Sequence, residues 1–199
     1  MRMTEVCLVR HGETLWNREA RLQGSQDIPL SDTGIVQARL AADLLSKEAW
    51  DLLYSSDLTR AKHTAEHLNE RIRVPHYLEP GLRERNYGPL EGMTRPEIDQ
   101  KYPGILARSQ EHQIPGLETY EELRQRVKET IETIARRHPG KRILVVTHGG
   151  TINAFLHAIT GQRPEGIENT SVTRLRFDNS RWFVDCINDC SHLGEVQKG

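Results

Sequence analysis

The stretch "EVCLVRHGETLWN", Glu5 to Asn17, runs an apolar segment straight into a cation, an imidazole and a glycine. Val6 to Val9 read as a buried strand, and Arg10-His11-Gly12-Glu13 follow with no polar spacer. A similar arrangement recurs at "RILVVT", Arg142 to Thr147, a β-branched run of the kind a central parallel strand requires. That run ends on His148-Gly149-Gly150. A third short run, Leu52 to Tyr54, leads into "SSDLTRAKHTAEHLNE".

Helical patterns alternate with these strands. "SDTGIVQARLAADLLSKE" starts at a Ser31/Asp32 cap and stripes Ile35, Ala38, Ala41, Leu44 and Leu45 along one face. "SSDLTRAKHTAEHLNE" is expected to start at Ser55/Ser56, with Leu58, Ala61, Ala65 and Leu68 inward. "TYEELRQRVKETIETIARRHPG" opens with a Thr119/Glu122 capping box, buries Tyr120, Leu123, Val127, Ile131 and Ile134, and stops at His138-Pro139-Gly140. A last helix is expected after Gly149-Gly150, and Val172–Phe177 with Trp182–Ile187 form a hairpin about Asp178–Ser180. The alternation implies an α/β sandwich with a mainly parallel sheet. At about 85–118 the pattern weakens among prolines and glycines, which reads as a lid-like insertion over one end of the sheet.

The 199 residues suit a single domain spanning 1–199. A formal net charge of −1 gives no reason to expect nucleic acid or an anionic membrane as partner. Three cysteines, Cys7, Cys186 and Cys190, form no disulfide framework and fit a reducing, cytoplasmic setting. The start of the chain lacks a signal-peptide run, and no long apolar span occurs. No metal-ligand spacing such as HExxH is present, so neither a metal nor another cofactor is expected. A homodimer is left open.

In parallel α/β sheets, ligands bind outside the carboxyl ends of the strands. Arg10 and His11 lie at one such end, His148 and Gly149 at another, and Arg60 near the start of the helix after the third run. Any one of these residues alone would be an ordinary surface or structural group. Together on one rim, two guanidinium forks, two imidazoles and a helix N-terminus define an anion site suited to phosphate. Gly12 is expected to let the backbone approach the ligand. A neutral imidazole there could attack phosphorus and carry the phosphoryl group.

"LVRHGETLWN", "YSSDLTRAKHTAE", "LRERNYGPLEG" and "VVTHGG" resemble, in order, the four signature segments of the histidine phosphatase superfamily, also called phosphoglycerate mutase-like. The resemblance implies a three-layer α/β/α fold and metal-independent phosphotransfer through phosphohistidine. It implies His11 as nucleophile and Arg10, Arg60 and His148 as phosphate pocket. Asn17, the backbone at Gln23 and Gly24, and Gly149 would add contacts, and Tyr87 would shape the substrate pocket. Glu84 matches the proton donor. A carboxyl beside a phosphate dianion is harder to ionise and can donate near neutrality. An ion pair of Glu84 with Arg83 or Arg85 is the ordinary alternative. "ENTSVTRL" and "NDCSHL" resemble late segments of small phosphatases, including metal-independent phosphoserine phosphatases, and His192 would then reach the site.

The expected activity is hydrolysis of a small phosphorylated metabolite. Two alternatives stand beside it: a cofactor-dependent phosphoglycerate mutase, which the mutase-like "ERNYG" favours, and a non-catalytic phospholigand-binding module. A mutase needs a second cationic cluster, whereas the insertion offers only Arg85, Arg95, Lys101 and Arg108, scattered and unpaired in sequence.

Overall fold

The computed structural model describes residues 3–106 and 108–194. Six strands form one mixed sheet: β1 (Thr4–Arg10), β2 (Leu52–Ser55), β3 (His76–Leu78), β4 (Arg142–Thr147), β5 (Val172–Phe177) and β6 (Trp182–Asp189). Their spatial order is β3-β2-β4-β1-β5-β6. β1, β2, β3 and β4 pair in parallel, while β5 runs antiparallel to β1 and to β6.

Side chains alternate across a strand, so each central strand feeds two cores. Val6, Leu8, Ile143 and Val145 point to one core with Leu123, Val127 and Ile131 of α5 (Tyr120–Arg137) and Ile152 and Phe155 of α6 (Gly149–Thr160). Cys7, Val9, Leu144 and Val146 point to the other, with Ala41 and Leu45 of α2 (Asp32–Leu45) and Ala61, Ala65 and Leu68 of α3 (Thr59–Ile72). The result is the expected three-layer sandwich. Burial on both faces explains why the β1 and β4 sequences lack polar alternation.

Three local expectations change. α3 starts at Thr59 with Leu58 as its cap position, because Ser55 belongs to β2 and the Ser56 hydroxyl accepts from Leu58 N–H without capping the helix proper. α6 includes both glycines, with His148 as its N-cap. The short edge strand β3 had no sequence signal; among the described residues it pairs with β2 alone.

The insertion holds a one-turn 3-10 helix (Gly88–Leu90), α4 (Arg95–Lys101) and a 3-10 segment (Arg108–Gln113). It has a small core of its own, in which Leu90, Ile98, Ile105, Ile114 and Leu117 are buried. A short helix α1 (Leu15–Arg18) follows β1, fixed by a Thr14/Asn17 capping box. No helix is long and apolar enough to cross a membrane among the described residues.

Candidate active site

Parallel register brings the strand ends level. Arg10 of β1 is opposite Thr147 of β4, and Ser55 of β2 is opposite Val146, so His11, His148 and Ser56 leave the sheet side by side. The His11 N–H donates to Thr147 O at 2.9 Å, and the two imidazoles meet edge to face with centroids 5.2 Å apart. Both rings are buried, and so is Arg60, only 1% exposed despite its charge.

His11 is oriented by its own neighbour. Its Nδ1 lies 2.7 Å from Gly12 O. A carbonyl only accepts, so the proton sits on Nδ1 and the Nε2 lone pair is left free. Burial first, then the guanidinium charges of Arg60 and Arg10, push the His11 pKa well below 6.5 and keep the ring neutral. Burial likewise holds His148 low, helped by Arg60 and His11. His148 Nε2 lies 2.8 Å from Ser56 Oγ. When that hydroxyl donates, His148 carries its proton on Nδ1, which has no partner among the described residues.

Arg60 sends Nη1 to Gln26 O at 2.7 Å and Nη2 to Gly24 O at 2.8 Å. It thereby folds the 23–26 loop against the site. Burial, the leading cause, lowers its pKa to about 10, so it stays charged. Arg10 anchors through Nη1 to Ile167 O. Arg10 Nε, Arg60 Nε and His148 Nδ1 are all buried without a hydrogen-bond partner among the described residues. A buried donor left unpaired costs about 1–3 kcal/mol, a debt that an anion bound among the three would remove.

The remaining expected residues fall around this centre. Gln23 is buried and accepts from Thr14 Oγ1 at 2.7 Å. Asn17 Oδ1 accepts from Thr14 N–H at 3.0 Å and lies 3.4 Å from Asn169 Nδ2. Gly149 sits beside Arg10, whose Nε would lie 3.2 Å from a Cβ there. Gly12 also answers to packing: a Cβ would lie 2.4 Å from Gly34 O at the start of α2, so the close approach of this helix requires the glycine. His192 touches Thr170 Oγ1 at 3.2 Å, and Thr170 N–H in turn donates to Arg10 O. It therefore stands behind the rim, one residue removed from it.

Glu84 approaches from the insertion side. Its Oε2 accepts from Gly150 N–H at 3.0 Å, and its Oε1 from Arg85 N–H at 2.9 Å. A Cβ on Gly150 would lie 2.4 Å from Glu84 Oε1, so the second glycine of "HGG" makes room for this carboxylate. The ordinary alternative fails, because Arg83 pairs with Asp57 and Arg85 with Glu111. Arg10 and Glu84 line a cavity of about 430 Å³ together with Tyr87, Tyr120, Asn153, Arg163 and Glu168. Burial, then Glu84, pushes the Tyr87 phenol up, so it remains a neutral donor. Sequence reasoning missed Ser56 and Asn169, whose Nδ2 donates to His11 O at 2.9 Å. Neither lies in a pattern with the residue it serves. Among the described residues, no three His, Cys, Asp or Glu side chains group as metal ligands.

Comparison with known proteins identifies the family. A family model described as "Histidine phosphatase superfamily (branch 1)" matches residues 6–190. The chain is 38% identical over 195 residues to "Uncharacterized phosphatase PhoE" of Bacillus subtilis (strain 168), covering 96% of this chain and 97% of that one. It is 38% identical over 202 residues to "Metal-independent phosphoserine phosphatase" of Arabidopsis thaliana, covering 98% of this chain and 85% of that one. Among solved structures, "Bacillus stearothermophilus YhfR" superposes with a TM-score of 0.88 at 32% identity, over 96% of this chain and 99% of that one. The chain belongs to the histidine phosphatase superfamily, and its relatives over nearly its whole length include proteins named as phosphatases and others named as phosphoglycerate mutases or mutase-like.

Proposed function

We propose that this chain hydrolyses a small phosphomonoester through a phosphohistidine on His11, without a metal or other cofactor. The observation that carries the reading is the neutral, buried His11 ring, proton on Nδ1, held beside two arginines. In the proposed cycle the phosphate dianion lies against Arg10, Arg60, His148 and the N-terminus of α6. His11 Nε2 attacks phosphorus, and the ester P–O bond breaks. The departing oxygen takes its proton from the Glu84 carboxyl, which is left as carboxylate. That carboxylate then removes a proton from water as the water oxygen attacks phosphorus, and the P–N bond to His11 breaks. Inorganic phosphate leaves with the enzyme restored.

The cavity beyond Arg10 sets the substrate class. It offers two tyrosines, an amide, the Arg163 guanidinium stacked 4.2 Å from the Tyr120 ring, and the Glu168 carboxylate. A small ester carrying charged groups fits such a lining. Phosphoserine is one candidate, in keeping with the name of the Arabidopsis relative, and phosphoglycerate is another. Hydrolysis is favoured over isomerisation because three of the four cations of the insertion, Arg85, Arg95 and Lys101, are engaged elsewhere and form no cluster among the described residues. Arg85 is taken by Glu111 and Arg95 by Asp99, while Lys101 lies over the Tyr102 ring. A mutase must also hold a bisphosphorylated intermediate and exclude water from it.

The test is a denaturing alkaline quench during turnover of para-nitrophenyl phosphate in chelator, with alkali-stable, acid-labile phosphate mapped to His11. In parallel, 3-phosphoglycerate with a trace of 2,3-bisphosphoglycerate is followed by NMR. Isomerisation much faster than phosphate release would replace hydrolysis with the mutase reading. No phosphoenzyme and no turnover would leave the binding module.

A further inference from the structure

Glu84 rides on residues 83–87, which belong to no helix or strand. A general acid must stay within about 3 Å of the oxygen it protonates, and misplacing it by about 1 Å can lose about a hundredfold in rate. Something other than secondary structure must fix this segment, and α5 supplies it. Arg126 sends Nη1 to Gly81 O at 2.8 Å and to Arg83 O at 3.1 Å, while Nη2 lies 3.4 Å from Glu84 O. Nε and Nη2 of the same guanidinium grip both oxygens of Glu118, at 2.7 and 2.9 Å.

Glu118 completes the cage from the other side. Its Oε2 accepts from Asn86 N–H at 3.0 Å, its carbonyl accepts from Arg85 Nε at 2.7 Å, and its N–H donates to Asn86 O at 2.8 Å. The backbone is thus held at 81, 83, 84 and 86, with the Arg85 side chain tied as well. The Arg85 N–H, fixed by this cage, is the group that holds Glu84 Oε1. The start of α5 does not need the pair, since the Thr119/Glu122 box already caps it. A guanidinium suits the task because its donors are fixed in one plane and lose little freedom per bond.

We propose that Arg126, acting with Glu118, is the positioning residue of the proton donor, holding the Glu84 segment at the distance that acid and later base catalysis require. This rests on the reading of Glu84 as proton donor. Arg126 touches neither substrate nor phosphorus. Its loss should spare the first phosphoryl transfer from an ester that needs no protonation and impair every step that uses Glu84.

The experiment compares wild type, Arg126→Ala, Arg126→Lys and Glu118→Gln on para-nitrophenyl phosphate and on glycerol phosphate. For Arg126→Ala, kcat/KM on the alkyl ester should fall about tenfold or more, while kcat/KM on the aryl ester stays within about threefold. On the aryl ester kcat should fall, with a nitrophenol burst and accumulated phosphohistidine, because water activation is the slowed step. Added guanidinium should restore alkyl-ester turnover. Arg126→Lys keeps the charge and stem without the fork, so it should show the same split even if the alanine variant folds poorly. Glu118→Gln should show it more weakly. Equal losses on both esters, or no loss on either, would overturn the proposal. Failure of wild type to form phosphoenzyme would instead overturn the phosphatase reading, so the two failures are told apart.

Discussion

Arg10 and Glu84 line the same cavity, yet the chain delivers them by different means. Arg10, His11 and His148 leave the ends of central strands whose ladders fix them to within a residue's register. Glu84 hangs from an irregular segment fixed by side chains, chiefly the Arg126–Glu118 fork and the buried Arg85–Glu111 pair. On the strand side, substitution removes a chemical group and leaves geometry intact. On the loop side, substitution moves geometry, and charge decides it. In the proposed reading, phosphate binding is therefore the rigid function of this pocket, and proton transfer the adjustable one.

The largest test is on the rigid side. His11→Ala should abolish turnover and leave no acid-labile phosphate, with the fold retained by circular dichroism; full activity would break the assignment. Next, Glu84→Gln should reduce kcat/KM on alkyl esters by about a hundredfold or more and much less on aryl esters. Equal losses on both would mean that the loop side does not supply the acid. Arg10→Lys or Arg60→Lys should then cost about 2 kcal/mol or more in kcat/KM, because a lysine has no second planar donor: Arg60 spans Gly24 O and Gln26 O, and Arg10 holds Ile167 O through Nη1 while its Nε stays free among the described residues. Lysine variants near wild type, with no inhibition by vanadate, would dissolve the shared pocket.

Stability against pH separates the two sides further. His11 and His148 are held neutral well below 6.5, and burial lowers His76, His138 and His192 in the same direction. Below about 6.5 the unfolded chain binds protons that the folded chain refuses, so stability falls as pH drops through this window. Each fully depressed histidine contributes about 1.4 kcal/mol per pH unit. Denaturant midpoints at pH 7 and pH 5 check this, and equal midpoints would mean that the histidines are charged in the fold. The smallest effect belongs to the insertion's surface. Arg95 and Asp99 are 67% and 51% exposed, so Arg95→Ala should change stability by less than about 0.5 kcal/mol.

Much of this was written locally. The bounds of β4 and β5, the Thr119/Glu122 box and the buried stripe of α5 follow from alternation, β-branching and capping chemistry, which act between residues a few positions apart. The rim was legible for the same reason: an apolar run that ends on Arg-His-Gly or His-Gly-Gly marks a strand end, and the parallel register sets those ends level. Only the tertiary structure decided what those groups touch. Ser56 turns from a helix cap into the partner of His148, Gly12 gains a close contact with Gly34, and Arg126 turns from a helix cation into the anchor of residues 81–84. His148 and Ser56 are 92 positions apart, and Arg126 and Gly81 are 45. Such pairs have no local propensity to announce them. They exist because the sheet, once closed on both faces by its helices, brings distant segments within hydrogen-bond reach, where a buried polar group must find a partner or lose stability.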